Sequence, residues 1–91
     1  MSIYYLGGGG VPSDIEDQLP KGSTVCIQGH PKLSYNGYWI VDHYNHNVLF
    51  LERRTKLGCL TRAISLKWPD DFKYISGLDY RYKKLIEKES K

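Results

Sequence analysis

Four consecutive glycines, Gly7–Gly10, lie just before a helix-like segment, an arrangement that can bind phosphate through backbone N–H groups. Such a loop needs free donors and a Lys or Ser/Thr that completes the site. Here Pro12 lacks an N–H group, and Asp14 and Glu16 place negative charge where a phosphate would bind. The run is therefore predicted to be a hinge after a short N-terminal strand, Ser2–Leu6.

Side chains of the metal-binding and nucleophilic types occur mainly in the middle of the chain. They are Cys26, His30, His43, His46 and Cys59. Structural zinc sites usually present paired C-x-x-C knuckles, and this sequence has none. A chain of 91 residues also leaves little room for a closed catalytic pocket. We therefore predict no metal, no cofactor and no enzymatic activity, and we interpret both cysteines as reduced thiols.

The composition is that of an ordinary globular protein, with 41% hydrophobic and 25% charged residues. A formal net charge of +3 is mildly basic and does not by itself identify a partner. Eight Tyr and two Trp against two Phe favour half-buried surfaces and binding faces. The sequence has no membrane-spanning run and no small-molecule site, so we expect a cytoplasmic binding protein.

The elements that must position these residues follow from periodicity. Ser13 and Glu16 form a capping-box pattern, which predicts a short helical turn that ends before Pro20. Strands are then predicted in the alternating segments TVCIQ, YWIVDHY, NVLFLER and CLTRAISLKW, with a hairpin turn near Asn45 and His46. In the last strand, Leu60 and Ile64 are expected on one face.

The end of the chain has helical periodicity. Apolar residues recur at helical spacing in a list of four: Leu78, Tyr82, Leu85 and Ile86. This pattern predicts a C-terminal amphipathic helix that packs on the strands. The predicted organisation is an arm with a helical turn over residues 1–21, a β unit over 22–68, and a bend with the helix over 69–91.

Residues 21–68 resemble an SH3-like small barrel of the KOW or Tudor type. The resemblance rests on the glycines and the alternating residues Gly22, Val25, Ile27, Gly29, Gly37 and Val41. It implies a mainly β fold with a closed barrel of four to five antiparallel strands. Closure would also remove the exposed edges of so small a sheet.

Basic residues cluster around the polar segment RTKLG, between the third and fourth predicted strands, and along the fourth strand, with aromatic residues nearby. The candidate nucleic-acid-binding residues are Arg53, Arg54, Lys56, Arg62 and Lys67 at phosphates, and Tyr38 or Tyr44 at bases. Phosphate neutralisation combined with base stacking is how single strands of DNA or RNA are held. Tyr35 and Trp39 lie in the same region, and Trp39 is expected in the core unless it stacks on a base.

A protein partner is the alternative. The N-terminal arm, a sheet edge or the C-terminal helix could dock this chain on a larger assembly, as an adaptor or inhibitor. In size and in its share of Tyr and Lys, the chain is similar to accessory proteins of tailed bacteriophages. That likeness implies a virion part or an inhibitor of a host protein, in the virion or in the host cytoplasm.

Overall fold

The structure is a computed structural model that describes residues 10–89. The predicted strand Ser2–Leu6 and most of the glycine run lie outside the described residues. Within the described residues, no helix is both long enough and apolar enough to cross a membrane.

Four antiparallel strands follow one another in a meander of order β1-β2-β3-β4. They are β1 (Thr24–Ile27), β2 (Gly37–Asn45), β3 (Val48–Arg54) and β4 (Leu60–Lys67). Their β-branched and aromatic residues favour strands, and the alternation of buried and exposed positions assigns one face to the core. The mainly β fold predicted from the sequence is confirmed.

The sheet is open, whereas a closed barrel was predicted. Among the described residues β1 and β4 are its edges, and they do not pair with each other. After β4, a 3-10 turn over Phe72–Tyr74 brings Ile75 into an antiparallel bridge with Ile27. The last extended segment therefore covers part of the outer edge of β1, and the edge of β4 carries no described strand.

The turn between β2 and β3 is the predicted hairpin, and one of its residues, His46, has a positive φ. Asn45 pairs with Val48, which leaves His46 and Asn47 as the turn. His46 has a φ of 55°, a conformation that Asn and His tolerate better than most non-glycine residues.

Two bulges interrupt the alternation of faces. In β2, Val41 pairs with Leu51 and His43 pairs with Phe50, so Asp42 is an extra residue. In β4, Thr61 is extra in the same way, because Arg53 pairs with Arg62 and Arg54 pairs with Leu60. The prediction that Leu60 shares the core face with Ile64 is therefore wrong: Leu60 is 55% exposed.

Two helices flank the sheet. The first, α1 (Ser13–Gln18), begins after Pro12, and no side-chain hydrogen bond caps it, so the predicted capping box of Ser13 and Glu16 does not form. Pro12 occupies the N-cap position of α1 in an extended conformation, and because proline has no N–H group it leaves no backbone donor unpaired there. The predicted C-terminal helix is present as α2 (Tyr80–Glu89) and buries Tyr82 and Ile86.

One core joins the helices to the inner face of the sheet. Its fully buried large side chains are Ile15, Ile27, Trp39, Val41, Leu49, Leu51, Leu66, Phe72 and Ile86. Burial of each such side chain contributes about 1.5–3 kcal/mol. The sheet thus has an inner face that supports the fold and an outer face that no described segment covers.

Candidate functional site

The centre of the predicted basic cluster is a stacked pair, Arg53 on Trp39. The Trp39 indole is buried, and its Nε1 donates a hydrogen bond of 2.8 Å to the Tyr35 carbonyl. The Arg53 guanidinium carbon lies 3.7 Å from the ring centroid, which is a cation–π contact. Trp39 is therefore a core residue, and its ring is not available to a nucleobase.

The fork of Arg53 also holds the backbone before β2. Its Nε donates to the Tyr38 carbonyl at 3.0 Å, and its Nη2 donates to the Asn36 carbonyl at 2.8 Å. Gly37 lies between these acceptors with a φ of 113°, and a Cβ there would be 2.7 Å from Nη2 of Arg53. Arg53 adds positive charge to the surface, while its donors are used to position the chain.

Arg54 is partly neutralised by its own strand. Its Nε and Nη2 donate to the two oxygens of Glu52 at 2.7 and 3.3 Å, and its Nη1 donates to the Gly58 carbonyl. The hydrogen bond to Glu52, followed by that residue's charge, raises the pKa of Arg54. Lys56 follows in the same turn with an exposed side chain. The turn between β3 and β4 is thus ordered around the Arg54 guanidinium, and Lys56 in the same turn is exposed.

Arg62 links this turn to the loop between β1 and β2. Its Nη2 donates to Ser34 Oγ at 3.0 Å, which brings Lys32 of that loop to the same end of the sheet. The sequence analysis did not select Lys32, because it lies far from the other cations along the chain. Only the fold of the loop could have shown this neighbour.

We call this region, Lys32–Ser34 with Glu52–Arg62, the β3–β4 end. Its formal charge is +4, from Lys32, Arg53, Arg54, Lys56 and Arg62 less Glu52, whereas the whole chain carries +3. The β3–β4 end is therefore basic, and Asp42, whose negative charge also acts on Arg54, lies outside its bounds.

Two of the predicted site residues lie elsewhere. Lys67 pairs with Val48 at the other end of β4. Tyr44 faces the core side: its hydroxyl donates to the Leu19 carbonyl at 2.7 Å, and burial, followed by the negative charge of Glu16, raises its pKa to about 12. Tyr44 is therefore held by α1 and its loop and is not an exposed platform for bases.

Tyr38 is on the opposite, solvent-facing side and is 70% exposed. It lines a groove of about 390 Å³ on that face and its rim. The lining residues are Thr24, Tyr38, Trp39, Ile40, Glu52, Arg53, Arg54 and Thr61. The groove thus places Tyr38 beside Arg53 and Arg54, two of the predicted cations.

A second aromatic feature on this face was missed by the sequence analysis. His43 and Phe50 pair across β2 and β3, and their rings are stacked at a centroid distance of 4.5 Å and an angle of 15°. The Asp42 bulge turns His43 outward, and a count of alternating residues does not reveal that bulge.

Exposed leucines surround the charges of the β3–β4 end. Leu57 is 91% exposed, Leu33 is 82% exposed and Leu60 is 55% exposed. Exposed apolar side chains mark an interaction surface when they are contiguous, and these three lie at the same end of the sheet.

The candidate metal ligands do not converge. Within residues 10–89, no group of three or more His, Cys, Asp or Glu side chains could hold a metal ion. His30 is buried between the rings of Tyr35 and Tyr74, each 4.7 Å away, and its Nδ1 accepts a hydrogen bond from the Lys32 N–H. Its Nε2 faces the Asp71 carboxylate at 3.4 Å. His30 thus fixes the β1–β2 loop.

Comparisons with protein-family models, with curated proteins and with solved structures find no match to this chain.

Proposed function

We propose that this chain is a non-enzymatic binding module that binds nucleic acid through the β3–β4 end. The observation that carries the proposal is the formal charge of +4 at this end, next to an exposed aromatic ring. A phosphate backbone releases counterions when it meets such a cluster, which supplies affinity for any sequence.

The contacts of each cation define its role in this proposal. Lys56 in the turn and Lys32 in the loop are exposed and contact phosphates, and Arg62 joins them from β4. Arg54 contributes a charge that Glu52 partly offsets. Arg53 is a positioning residue that holds Tyr38 and the backbone around Gly37.

The fold supports a further part of the proposal, an incomplete SH3-like barrel. The bridge between Ile27 and Ile75 places the last extended segment next to the first strand, which is the step by which a meander begins to close. In this proposal the KOW- or Tudor-like region uses the end of its β3–β4 hairpin for binding.

A charge-reversal titration tests the proposed function. Lys56→Glu with Arg62→Glu is compared with Lys83→Glu and Lys84→Glu on α2, which changes the net charge equally at exposed positions. Fluorescence anisotropy of labelled single-stranded DNA and RNA is measured at about 50 and 200 mM salt. We expect the first pair to lower affinity at least about tenfold and to reduce the salt slope by about 2, because two phosphate contacts are lost.

The control pair has a defined expectation as well. It should retain most of the affinity and the slope, and circular dichroism melting should show that all proteins are folded. Equal losses in the two pairs would mean that only net charge matters, and no binding by the wild-type chain at the lower salt would reject the proposal.

The exposed leucines favour a second candidate, docking on another protein. Leu57 and Leu60 would enter an apolar pocket of the partner, with the cations around them facing its acidic rim. The double variant Leu57→Ser and Leu60→Ser tests this, with Tyr80→Ser on α2 as the control for loss of an exposed apolar side chain. A partner that co-purifies with the control and not with the double variant would support docking; equal recovery with both would oppose it.

A further inference from the structure

The solvent-facing side of the sheet carries two aromatic positions that the charge argument does not use. They are Tyr38 near the β3–β4 end and the stacked pair of His43 and Phe50 further along the strands. We propose that this face binds single-stranded nucleic acid, with one base stacked on Tyr38 and another on the His43–Phe50 pair. The inference rests on the proposed function and specifies its ligand and its path.

The requirement for two stacked bases selects an unpaired strand. Ile40 pairs with Glu52 between the two positions, two residues from Tyr38 on β2 and two from Phe50 on β3. Four residue steps along a strand span roughly 13 Å, a distance that a few nucleotides cover. The bases of a duplex are paired and stacked on one another, so they cannot also stack on side chains of the sheet. Bases that occupy both positions must therefore come from a single strand with its bases turned toward the protein.

The groove beside Tyr38 gives the first base a defined place. The residues that line its volume of about 390 Å³ include Tyr38, Ile40 and Thr24 of the sheet and the ion pair of Arg54 with Glu52. An aromatic ring with an Arg at the edge of a groove is the usual platform for a base and its phosphate.

The charges on this face allow a phosphate backbone to approach. Two carboxylates of this face have a neighbouring basic side chain: Glu52 pairs with Arg54, and Asp42 lies 2.6 Å from Nδ1 of His43. At the Lys67 end, the Asp71 carboxylate accepts a hydrogen bond from the Lys67 N–H. Lys67 projects from the same face at its far end, where its neighbour in the register is Val48. Arg54 and Lys67 thus mark the two ends of a path that passes both aromatic positions.

Two exposed tyrosines provide a matched test. Tyr38 is 70% exposed on the sheet and Tyr80 is 69% exposed on α2. Tyr38→Ala should lower affinity for a labelled oligo-dT strand by roughly 5- to 150-fold, the loss expected for one stacked base, and should leave the salt slope unchanged. Tyr80→Ala should have no effect, and Tyr38→Phe should retain most of the affinity, because the ring and not the hydroxyl stacks.

Two further measurements check the ligand class and the second position. The wild-type chain should bind the single strand at least about tenfold more tightly than a blunt duplex of equal length, because a duplex cannot offer unstacked bases to both positions. His43→Ala should weaken binding of the strand by a smaller factor than Tyr38→Ala, since Phe50 still presents a ring.

The outcomes separate this inference from the proposed function. If the strand is bound and affinity depends on Lys56 and Arg62 but not on Tyr38, the stacking path is wrong and the basic end stands. Equal affinity for strand and duplex would overturn the path as well. No binding by the folded wild-type chain would reject both.

Discussion

The turns at the two ends of the sheet are held in different ways. At the β2–β3 end, the two-residue turn at His46 and Asn47 accepts hydrogen bonds from Val11 and Trp68, both buried. At the β3–β4 end, the longer turn bonds only within itself in the described structure, through Thr55, Gly58 and Cys59, and through Arg54. One turn is bonded to the flanking segments, and within the described residues the other is not.

The difference shows two ways in which a small chain orders a turn. The β2–β3 turn is held by backbone hydrogen bonds from Val11 and Trp68, which are themselves buried in the core. The β3–β4 end is held by hydrogen bonds that Arg53 and Arg54 donate to backbone carbonyls, which leave the charge accessible. The surface proposed to bind nucleic acid is therefore positioned by polar contacts without being buried.

The largest expected effect comes from removing the buried Ile15 side chain of α1, and it is compared with the effect of removing the exposed Leu57 side chain at the β3–β4 end. Ile15→Ala should lower the free energy of unfolding by about 2–5 kcal/mol, because Ile15 is fully buried and the variant leaves a cavity. Leu57→Ala should change it by less than about 0.5 kcal/mol, because Leu57 is 91% exposed. Urea unfolding followed by tryptophan fluorescence measures both. Similar losses in the two variants would contradict the contrast between the ends.

Two glycines sharpen the comparison within the β3–β4 end. Gly37→Ala should cost about 1–3 kcal/mol for its positive φ, and more because Arg53 must move from Trp39 and the Asn36 carbonyl. Gly58→Ala is the control, since Gly58 also has a positive φ but no atom within 4 Å of the added Cβ. Thermal melting compares them. The same loss of stability in both variants would show that displacing Arg53 adds little to the cost of the positive φ.

The smallest effect concerns Tyr44 at the β2–β3 end and requires alkaline pH. Its pKa is about 12 in the folded chain against an ordinary value of 10.0, so the folded state keeps the proton more tightly. This contribution to stability is complete below pH 10 and is lost as pH rises toward about 12. Tyr44→Phe should therefore lose less stability than the wild-type chain over that interval in urea midpoints. Parallel pH curves for both proteins would contradict the assignment.

The sequence predicted the strands and α2 because their apolar periodicity is strong. It did not predict which way Tyr44 points, since the extra residue at Asp42 shifts the count of alternating positions by one for every residue of β2 after it. Trp39 was ambiguous for a related reason: the run Tyr38, Trp39, Ile40 is apolar at every position. The capping box failed because Pro12 occupies the N-cap position, which makes Ser13 the first residue inside the helix.

The candidate site was predictable where its residues are neighbours in sequence. Arg53, Arg54 and Lys56 remain together at one turn. Lys67 was separated from them because β4 extends for eight residues, which places its ends roughly 23 Å apart. Lys32 joined the cluster only through the fold of its loop and the Arg62 contact to Ser34.

The two bulges determine which single-residue deletions leave the faces of the sheet unchanged. Asp42 and Thr61 are each a single residue added to an otherwise regular pairing, so each equals one inserted codon. Deleting either codon would leave the neighbouring side chains on the faces they now occupy, with His43 and Leu60 still directed to solvent. A variant that lacks Asp42 or Thr61 would therefore keep the same outer surface. An insertion next to either bulge would instead move the following side chains of that strand to the opposite face of the sheet.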